Sequence, residues 1–388
     1  MYNILVVDDS ALMRKVICDI INSDSDFHVV DVSADGEDAY NKIKNKAYDI
    51  VILDMVLPKM TAVQALTKLE SEGIPFNVIL ISSSIKEDAD STVRAMELGA
   101  FDFVVKPYRS TAESIEEFSH SLLKSMREVV TAVGRNKAYR PTVVESSSKK
   151  NVRTEKSGLF GRLQAADEAV SSLRFQTSKP RSTQTKALEG APKPVRGKKS
   201  IALACSTGGP QALHTFVPML PPTLPYPLVL VQHMPEGFTA SLASRLNQIS
   251  SIEVKEASDG EFFEPGCVYI TPGGKHMEIC ENASHEAYCH LNDGPPVNSL
   301  KPCADVMYQS LADTSFEEII CVVLTGMGAD GSEGIEYLSR FKNTYVISQD
   351  ASSCVVYGMP KAVEQRGLSN EVVPLKQVAD SIKKKLGG

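Results

Sequence analysis

Five polar side chains in the first third of the sequence follow short apolar runs that are typical of buried strands. They are Asp8, Asp9, Asp54, Ser82 and Lys106. If those runs form one parallel sheet, their carboxyl ends meet at one edge, where ligands of such sheets bind. Three carboxylates at that edge favour a hard divalent cation, with Mg²⁺ the best match. A carboxylate in that position can act as a nucleophile toward phosphorus, so the pattern predicts a phosphoryl-accepting site.

A second set of residues could carry out nucleophilic hydrolysis. Ser206 lies in the turn Cys205–Pro210, where backbone N–H groups at a helix N-terminus would favour developing negative charge. His233 directly follows the run LVLVQ, and Asp330 follows the run ICVVLT. A serine nucleophile needs a base, and that base needs an orienting acid. Each residue alone has an ordinary structural explanation, a helix cap or a packed histidine, so the hypothesis depends on all three together. Other residues compete for the base and acid roles: His214, His276, His285 and His290, and Asp293, Asp305 and Asp350.

Residues 326–331 also match the pattern G-x-G-x-x-G, which suggests a dinucleotide-binding loop as an alternative. Two observations count against this interpretation. Asp330 would place a carboxylate inside a turn that must hold a pyrophosphate, and like charges repel there. The pattern also opens a dinucleotide-binding domain, whereas only about 58 residues follow it here.

The elements that must position these residues form two α/β patterns. Residues 1–134 and residues 200–388 each alternate apolar runs with amphipathic stretches, which predicts two doubly wound parallel-sheet domains. The first would be flavodoxin-like, and the second a Rossmann-like α/β domain. The predicted strands are Ile4–Val7, His28–Ser33, Ile50–Leu53, Val78–Ile81, Phe101–Val105, Ile201–Cys205, Leu228–Gln232, Ile319–Thr325 and Tyr345–Ser348.

Residues 135–199 have a different composition. Ser, Thr, Lys, Arg and Pro dominate there, and 16 Lys and Arg stand against five Asp and Glu. The apolar periodicity of the flanking regions is absent, so this region is predicted to be a flexible basic linker. A docking role for its basic residues stays open as an alternative.

Overall composition excludes several classes of protein. The chain has 388 residues, 43 % of them hydrophobic, and a net charge of −7, which argues against nucleic-acid binding. The longest apolar runs, such as Ile319–Leu324, are too short to cross a bilayer, and MYNILVVDDS does not resemble an export signal. The eight cysteines lack paired or zinc-site spacing, so reduced thiols and a cytoplasmic location are expected.

Residues 1 to about 125 resemble the receiver domain of two-component response regulators. The matching pieces are VVDDS at 6–10, VILDMVLPKM at 51–60, ISS at 81–83 and FVVKP at 103–107. The resemblance implies that Asp54 is the phospho-acceptor and that Asp8, Asp9 and Asp54 bind Mg²⁺. The phospho-switch residues that it implies are Ser82, Phe103 and Lys106.

Residues 198–388 resemble the catalytic domain of the chemotaxis protein-glutamate methylesterases. The matching pieces are ACSTGGP at 204–210, QHMPEGFT at 232–239, PGGKHME at 272–278, DGPPVN at 293–298, LTGMGADG at 324–331 and ASSCVVYGMP at 351–360. The resemblance implies Ser206 as the nucleophile, His233 as its base and Asp330 as the residue that orients the base. It also implies that Thr207 supports the serine and that the Met327 backbone N–H helps form the oxyanion hole.

The two resemblances imply a phosphorylation-activated hydrolase of bacterial chemotaxis. It would demethylate glutamyl 5-methyl esters on chemotaxis receptors, release methanol and deamidate specific receptor glutamines. Mg²⁺ would serve phosphorylation only, and ester hydrolysis would need no cofactor. The implied partners are the receptors and a chemotaxis histidine kinase, with no nucleic acid and no membrane insertion. Two alternatives stay open: a receptor-binding module without chemistry, and a DNA-binding output domain.

Overall fold

The computed structural model describes residues 1–82, 86–107, 111–135 and 199–387. The described residues form two α/β domains, as the sequence predicts. The predicted linker lies outside the described residues except at its ends, where Arg135 closes a helix and Lys199 opens a strand. Its flexibility therefore stays a prediction. Among the described residues, no helix combines the length and apolar character needed to cross a membrane.

The first domain is a five-stranded sheet in the order β2-β1-β3-β4-β5, and every neighbouring pair is parallel. Its strands are β1 (Tyr2–Val7), β2 (Phe27–Ser33), β3 (Ile50–Asp54), β4 (Val78–Ser82) and β5 (Asp102–Val105). Its helices are α1 (Ala11–Asn22), α2 (Gly36–Asn45), α3 (Ala62–Ser71), α4 (Lys86–Glu97) and α5 (Ala112–Arg135). The predicted strands are confirmed to within two residues at each end. The central strands β3 and β4 are buried along their whole length, which explains their unbroken apolar sequences.

The second domain contains a seven-stranded parallel sheet in the order β14-β13-β12-β6-β7-β9-β8 and a separate antiparallel pair, β10-β11. Its strands are β6 (Lys199–Cys205), β7 (Leu228–Gln232), β8 (Glu253–Glu256), β9 (Cys267–Ile270), β10 (His276–Glu281), β11 (Ala287–Asn292), β12 (Glu318–Val323), β13 (Asn343–Gln349) and β14 (Glu371–Val373). Its helices are α6 (Gly209–Phe216), α7 (Phe238–Ile249), α8 (Ala304–Ser310), α9 (Ser332–Leu338), α10 (Met359–Gln365) and α11 (Leu375–Leu386). The four strands predicted here are confirmed; β8, β9 and β14 complete their sheet, and β10 and β11 form the separate pair.

Three neighbouring strands at the centre of the second sheet bring the candidate catalytic residues to one edge. Strand β6 pairs in parallel with β12 on one side and with β7 on the other. The pairing places Cys205 opposite Gln232, so the chain leaves both strands at the same level. Ser206 and His233 are therefore the first residues beyond two adjacent strand ends. Asp330 lies in the segment that follows β12.

The two domains contact each other through the β5 edge of the first sheet. The Phe103 ring on β5 lies 4.6 Å from the Phe238 ring at the start of α7. Glu97, the last residue of α4, accepts a 2.6 Å hydrogen bond from Arg245 Nε of α7. His214 Nε2 of α6 lies 3.6 Å from the same carboxylate. An aromatic contact and a small charged cluster thus hold the two domains together.

Candidate functional sites

The five polar residues predicted at the edge of the first sheet do meet there. The carboxylates of Asp8, Asp9 and Asp54 lie within 4.8 Å of one another. Lys106 Nζ lies 2.9 Å from Asp8 Oδ2 and 2.7 Å from Asp54 Oδ2. Ser82 is buried at the end of β4, and its hydroxyl accepts a 3.2 Å hydrogen bond from Thr92. The structure therefore brings the three carboxylates and Lys106 together, and the Lys106 backbone N–H donates to the Ser82 carbonyl at 2.8 Å.

The electrostatics of this pocket fit a cation and a phosphoryl group. Burial raises the pKa of Asp54 to about 6, although the neighbouring Lys106 ammonium acts to lower it. Burial acts to lower the pKa of Lys106, but its bonds to Asp54 and Asp8 raise that pKa above its usual value. Asp8 Oδ2 is buried and lies next to the Lys106 ammonium, 2.9 Å away. Three carboxylates that offer only oxygen atoms as ligands fit Mg²⁺.

Ser206 lies in a turn whose geometry depends on glycine. Its backbone N–H donates to the Thr325 carbonyl at 3.0 Å, and its own carbonyl accepts from Gly209 N–H at 2.6 Å. Gly208 has a φ of +77°, a conformation that side chains disfavour. A Cβ atom at Gly326 would lie only 2.8 Å from Ser206 Cβ. Gly326 therefore allows the segment after β12 to approach the candidate nucleophile.

His233 and Asp330 form a direct pair. His233 Nε2 lies 2.7 Å from Asp330 Oδ2, and both side chains are largely buried. Backbone N–H groups of Ala304 and Asp305 donate to the Asp330 carboxylate at 2.7 and 2.9 Å. Burial acts to raise the pKa of Asp330, but the bonds from His233 and from these amides hold it well below its usual value. The carboxylate is thus ionised and fixed, and it leaves His233 Nδ1 as the ring nitrogen available to Ser206.

Ser206, His233 and Asp330 line one cavity of about 950 Å³ that residues of both domains enclose. Within the described structure, no hydrogen bond joins Ser206 Oγ to the His233 ring. Such contacts are commonly long in the absence of substrate, so the nucleophile–base relationship stays a prediction. Met327 also lines the cavity, and its side chain is 43 % exposed. The predicted contribution of its N–H to an oxyanion hole stays a prediction as well.

Thr207, the residue after the candidate nucleophile, makes an unexpected contact. Its hydroxyl donates a 2.6 Å hydrogen bond to Glu128 Oε2 on α5 of the first domain. Across the described ranges, no hydrogen bond connects the Thr207 side chain to Ser206, so its predicted supporting role also stays untested. The contact instead joins the first domain to the turn that carries the nucleophile.

Glu128 is a buried acid with an altered pKa. Its side chain is 4 % exposed, and burial raises its pKa to about 7, with the nearby Asp102 carboxylate adding to the shift. Lys124 and the hydrogen bond from Thr207 act in the opposite direction. Below about pH 7, Glu128 is therefore mainly protonated in the folded protein.

We expect Glu128→Gln to remove a pH-dependent contribution to stability. In the unfolded chain Glu128 ionises near 4.5, and in the folded protein near 7. The folded state is therefore penalised as pH rises from about 4.5 to 7, by up to ~3 kcal/mol once ionisation is complete. Wild-type protein should gain stability when pH falls from 8 to 5.5, relative to the glutamine variant, which still accepts from Thr207. Urea unfolding of both proteins at several pH values measures the difference, and parallel pH profiles would contradict it.

Several residues of the site were not found by sequence reasoning. Glu128 and Glu97 look like ordinary charged positions of amphipathic helices, because their partners belong to the other domain. Asp305, one of the competing acids in the sequence, accepts hydrogen bonds on its buried carboxylate from Gly331 and Gly334 N–H at 2.9 and 2.6 Å. Burial raises the pKa of Asp305 to about 6.

Comparisons with known proteins match each domain to a known family. Residues 201–382 match the family model described as CheB methylesterase, and residues 4–116 match the response regulator receiver domain. The protein-glutamate methylesterase/protein-glutamine glutaminase of Halalkalibacterium halodurans is 39 % identical over 380 residues, or 98 % of this chain and 96 % of that protein. The protein of the same name from Bacillus subtilis is 37 % identical and covers 98 % of each chain. The crystal structure of the Thermotoga maritima CheB methylesterase catalytic domain is 38 % identical and covers 49 % of this chain and 100 % of that one, with a TM-score of 0.47.

Proposed function

Because the chain belongs to the protein-glutamate methylesterase/protein-glutamine glutaminase family, we propose that it hydrolyses glutamyl 5-methyl esters on chemotaxis receptors and deamidates receptor glutamines. The observation that carries the proposal is the His233–Asp330 pair, 2.7 Å apart, in the cavity that Ser206 also lines. The structure gives no comparable support to a dinucleotide loop at 326–331, since Asp330 there is bonded to His233.

In the proposed reaction, Ser206 Oγ attacks the ester carbonyl while His233 takes its proton. The Met327 N–H and the N-terminus of α6 stabilise the oxyanion, which preorganised donors can do without a cofactor. His233 then returns the proton to the leaving methoxide, and methanol departs. Water, activated by the same histidine, hydrolyses the acyl-serine to release the glutamate side chain. Asp330 holds the ring in the tautomer that both steps need.

We propose that regulation begins when a chemotaxis histidine kinase phosphorylates Asp54. Asp8, Asp9 and Asp54 would hold Mg²⁺, which when bound neutralises charge on the phosphoryl group. Lys106 and Ser82 would be drawn toward the new charge, and β5 would shift with them. Phe103 lies on that strand and contacts Phe238, so the change would reach the contact between the domains.

The remaining parts of the proposal concern organisation and location. We assign residues 1–134 to the receiver, 135–199 to a basic linker and 200–388 to the catalytic domain. The eight cysteines are free thiols, which supports a reducing compartment such as the cytoplasm. The receptors are the proposed substrates and partners, without nucleic acid or membrane insertion.

The proposed function is tested by methanol release from methylated receptor membranes, with and without a small phosphodonor and Mg²⁺. We expect release by the purified full chain and a higher rate with the phosphodonor. Asp54→Asn should keep the lower rate under both conditions. Receptor binding without methanol release would favour the alternative of a binding module. DNA retardation in a gel would favour a DNA-binding output.

We expect Phe103→Ala to raise the methanol-release rate of the unphosphorylated full chain by about 3- to 10-fold. The Phe103–Phe238 contact holds the first domain over the cavity, and an aromatic pair of this kind contributes about 0.5–1.5 kcal/mol. Losing it should shift the population toward an open form. The fragment 198–388 should likewise be more active than the unphosphorylated full chain, and the phosphodonor should not alter its rate.

Val32→Ala is the matched control for Phe103→Ala. Val32 is 47 % exposed on β2, the edge of the first sheet opposite β5. We expect it to leave the basal rate unchanged. Equal basal rates for wild type, Phe103→Ala and the fragment would rule out inhibition by this contact, while leaving the esterase assignment intact.

A further inference from the structure

Gln232 is a buried amide located between the candidate nucleophile and the candidate base. It ends β7, directly precedes His233 and is 1 % exposed. Its Nε2 donates to the Ser206 carbonyl at 3.1 Å and to the His233 carbonyl at 3.2 Å. Cys205 Sγ donates to its Oε1 at 3.0 Å. One side chain is therefore bonded to the backbone of both residues.

The neighbouring turn is shaped to admit this amide. A Cβ atom at Gly209 would lie 1.9 Å from Gln232 Oε1, so only glycine leaves room for the side chain. Gly209 N–H also donates to the Ser206 carbonyl, which thus accepts two hydrogen bonds. The strand pairing adds a bond from His233 N–H to the Cys205 carbonyl at 3.2 Å. The amide completes a network that links the ends of β6 and β7.

We propose that Gln232 is a positioning residue that sets the distance and angle between Ser206 and His233; this inference rests on the proposed hydrolytic function. An amide supplies two N–H donors and one acceptor from a single planar group, which no other side chain of this length provides. Asp330 restrains the ring only at Nε2, so the position of Nδ1 also depends on the backbone of His233. Fixing both carbonyls therefore fixes the two backbones from which Oγ and the ring project.

Gln232→Met is the main test, because methionine is similar in size but donates no hydrogen bond. We expect kcat for methanol release to fall about 10- to 100-fold with KM unchanged, as for small misplacements of reacting groups. Tyr308→Phe is the matched control. Tyr308 is fully buried on α8, and its hydroxyl lies 3.2 Å from the Ala202 carbonyl of β6 and 3.0 Å from the Val322 carbonyl of β12. Both variants should lower the melting temperature, but Tyr308→Phe should keep kcat within about threefold.

Gln232→Glu tests the proposal through the pH dependence of kcat, which a purely structural role for Gln232 would not alter. A carboxyl group buried between two carbonyl oxygens favours its protonated form, so its pKa is raised. Protonated, it donates one hydrogen bond; ionised, it donates none and repels both carbonyls. The kcat of this variant should therefore fall as pH rises through that pKa, giving an alkaline limb that wild type and Gln232→Met lack.

The outcomes of these experiments distinguish failure of the proposed function from failure of the proposal for Gln232. Wild-type protein that releases no methanol would overturn the proposed function and this inference with it. Wild-type release combined with an unchanged kcat in Gln232→Met would overturn the inference alone. So would equal kcat losses in Gln232→Met and Tyr308→Phe, or a Gln232→Glu profile parallel to that of wild type.

Discussion

Ser206→Ala is expected to lower kcat for methanol release by about 10⁴- to 10⁶-fold, the loss typical of a missing serine nucleophile. The substitution removes one oxygen atom at the cavity. The backbone bonds that build the turn, to Thr325 and from Gly209, do not use that atom and stay in place. The variant should therefore keep its melting temperature and still accept a phosphoryl group at Asp54. Methanol release, thermal unfolding and phosphoryl incorporation measured on the same preparation test all three statements.

Ser348→Ala serves as the control for this prediction. Ser348 is a buried serine of β13 whose hydroxyl is 2.7 Å from the hydroxyl of Ser369, away from the cavity. Its loss should cost some stability and leave kcat within about twofold. If Ser206→Ala released methanol at near wild-type rate, the nucleophile would have to be another residue.

The central parallel strands could be predicted because they are buried on both faces and therefore appear as unbroken apolar runs. β3 and β12 are examples, since every residue in them is buried. β8 and β14 lie at the two edges of the second sheet and contain four and three residues, too few to form a recognisable run. β10 and β11 pair outside both sheets and carry polar residues between apolar ones, a weaker signal in a single sequence.

Those site residues that directly follow a strand could be predicted from the sequence. A parallel sheet brings the residues that follow its strands to one edge, so Asp54 and Lys106 meet although they are far apart in sequence. The contact between Thr207 and Glu128 spans 79 positions and two domains, and that between Arg245 and Glu97 spans 148. No periodicity within one domain can reveal a partner that belongs to another.

The glycines of the segment after β12 show why a short pattern needs its structural context. Gly326 allows close approach to Ser206, and a Cβ at Gly358 would lie 2.6 Å from the Gly326 carbonyl. Both are therefore required for packing around the candidate nucleophile. Read as part of a dinucleotide loop at 326–331, Gly326 would be assigned to a pyrophosphate instead.

Asp330→Asn is expected to lower kcat by about 10⁴-fold, the loss typical of the orienting acid of a Ser-His-Asp triad. Asp330 accepts hydrogen bonds on both oxygens: Oδ2 from His233 and Ala304, and Oδ1 from Asp305 and Gly331. An asparagine has one oxygen and one NH₂ group, so whichever way it turns, a donor faces a backbone N–H. With the NH₂ toward His233, Nε2 must accept, the proton moves to Nδ1, and the ring can no longer take a proton from serine.

Asp330→Asn should also lower the free energy of unfolding by about 1–3 kcal/mol, because the buried NH₂ group faces a backbone N–H and one donor is left without an acceptor. Cys303→Ala separates the two effects. Cys303 Sγ donates to Asp330 Oδ1 at 3.1 Å, so its removal weakens the surroundings of the carboxylate without changing the acid. That variant should lose some stability and keep kcat within about threefold. An Asp330→Asn protein that stays folded and releases methanol within tenfold of the wild-type rate would mean that His233 takes its orientation from other contacts, of which its backbone bonds to Cys205 and Gln232 are the nearest.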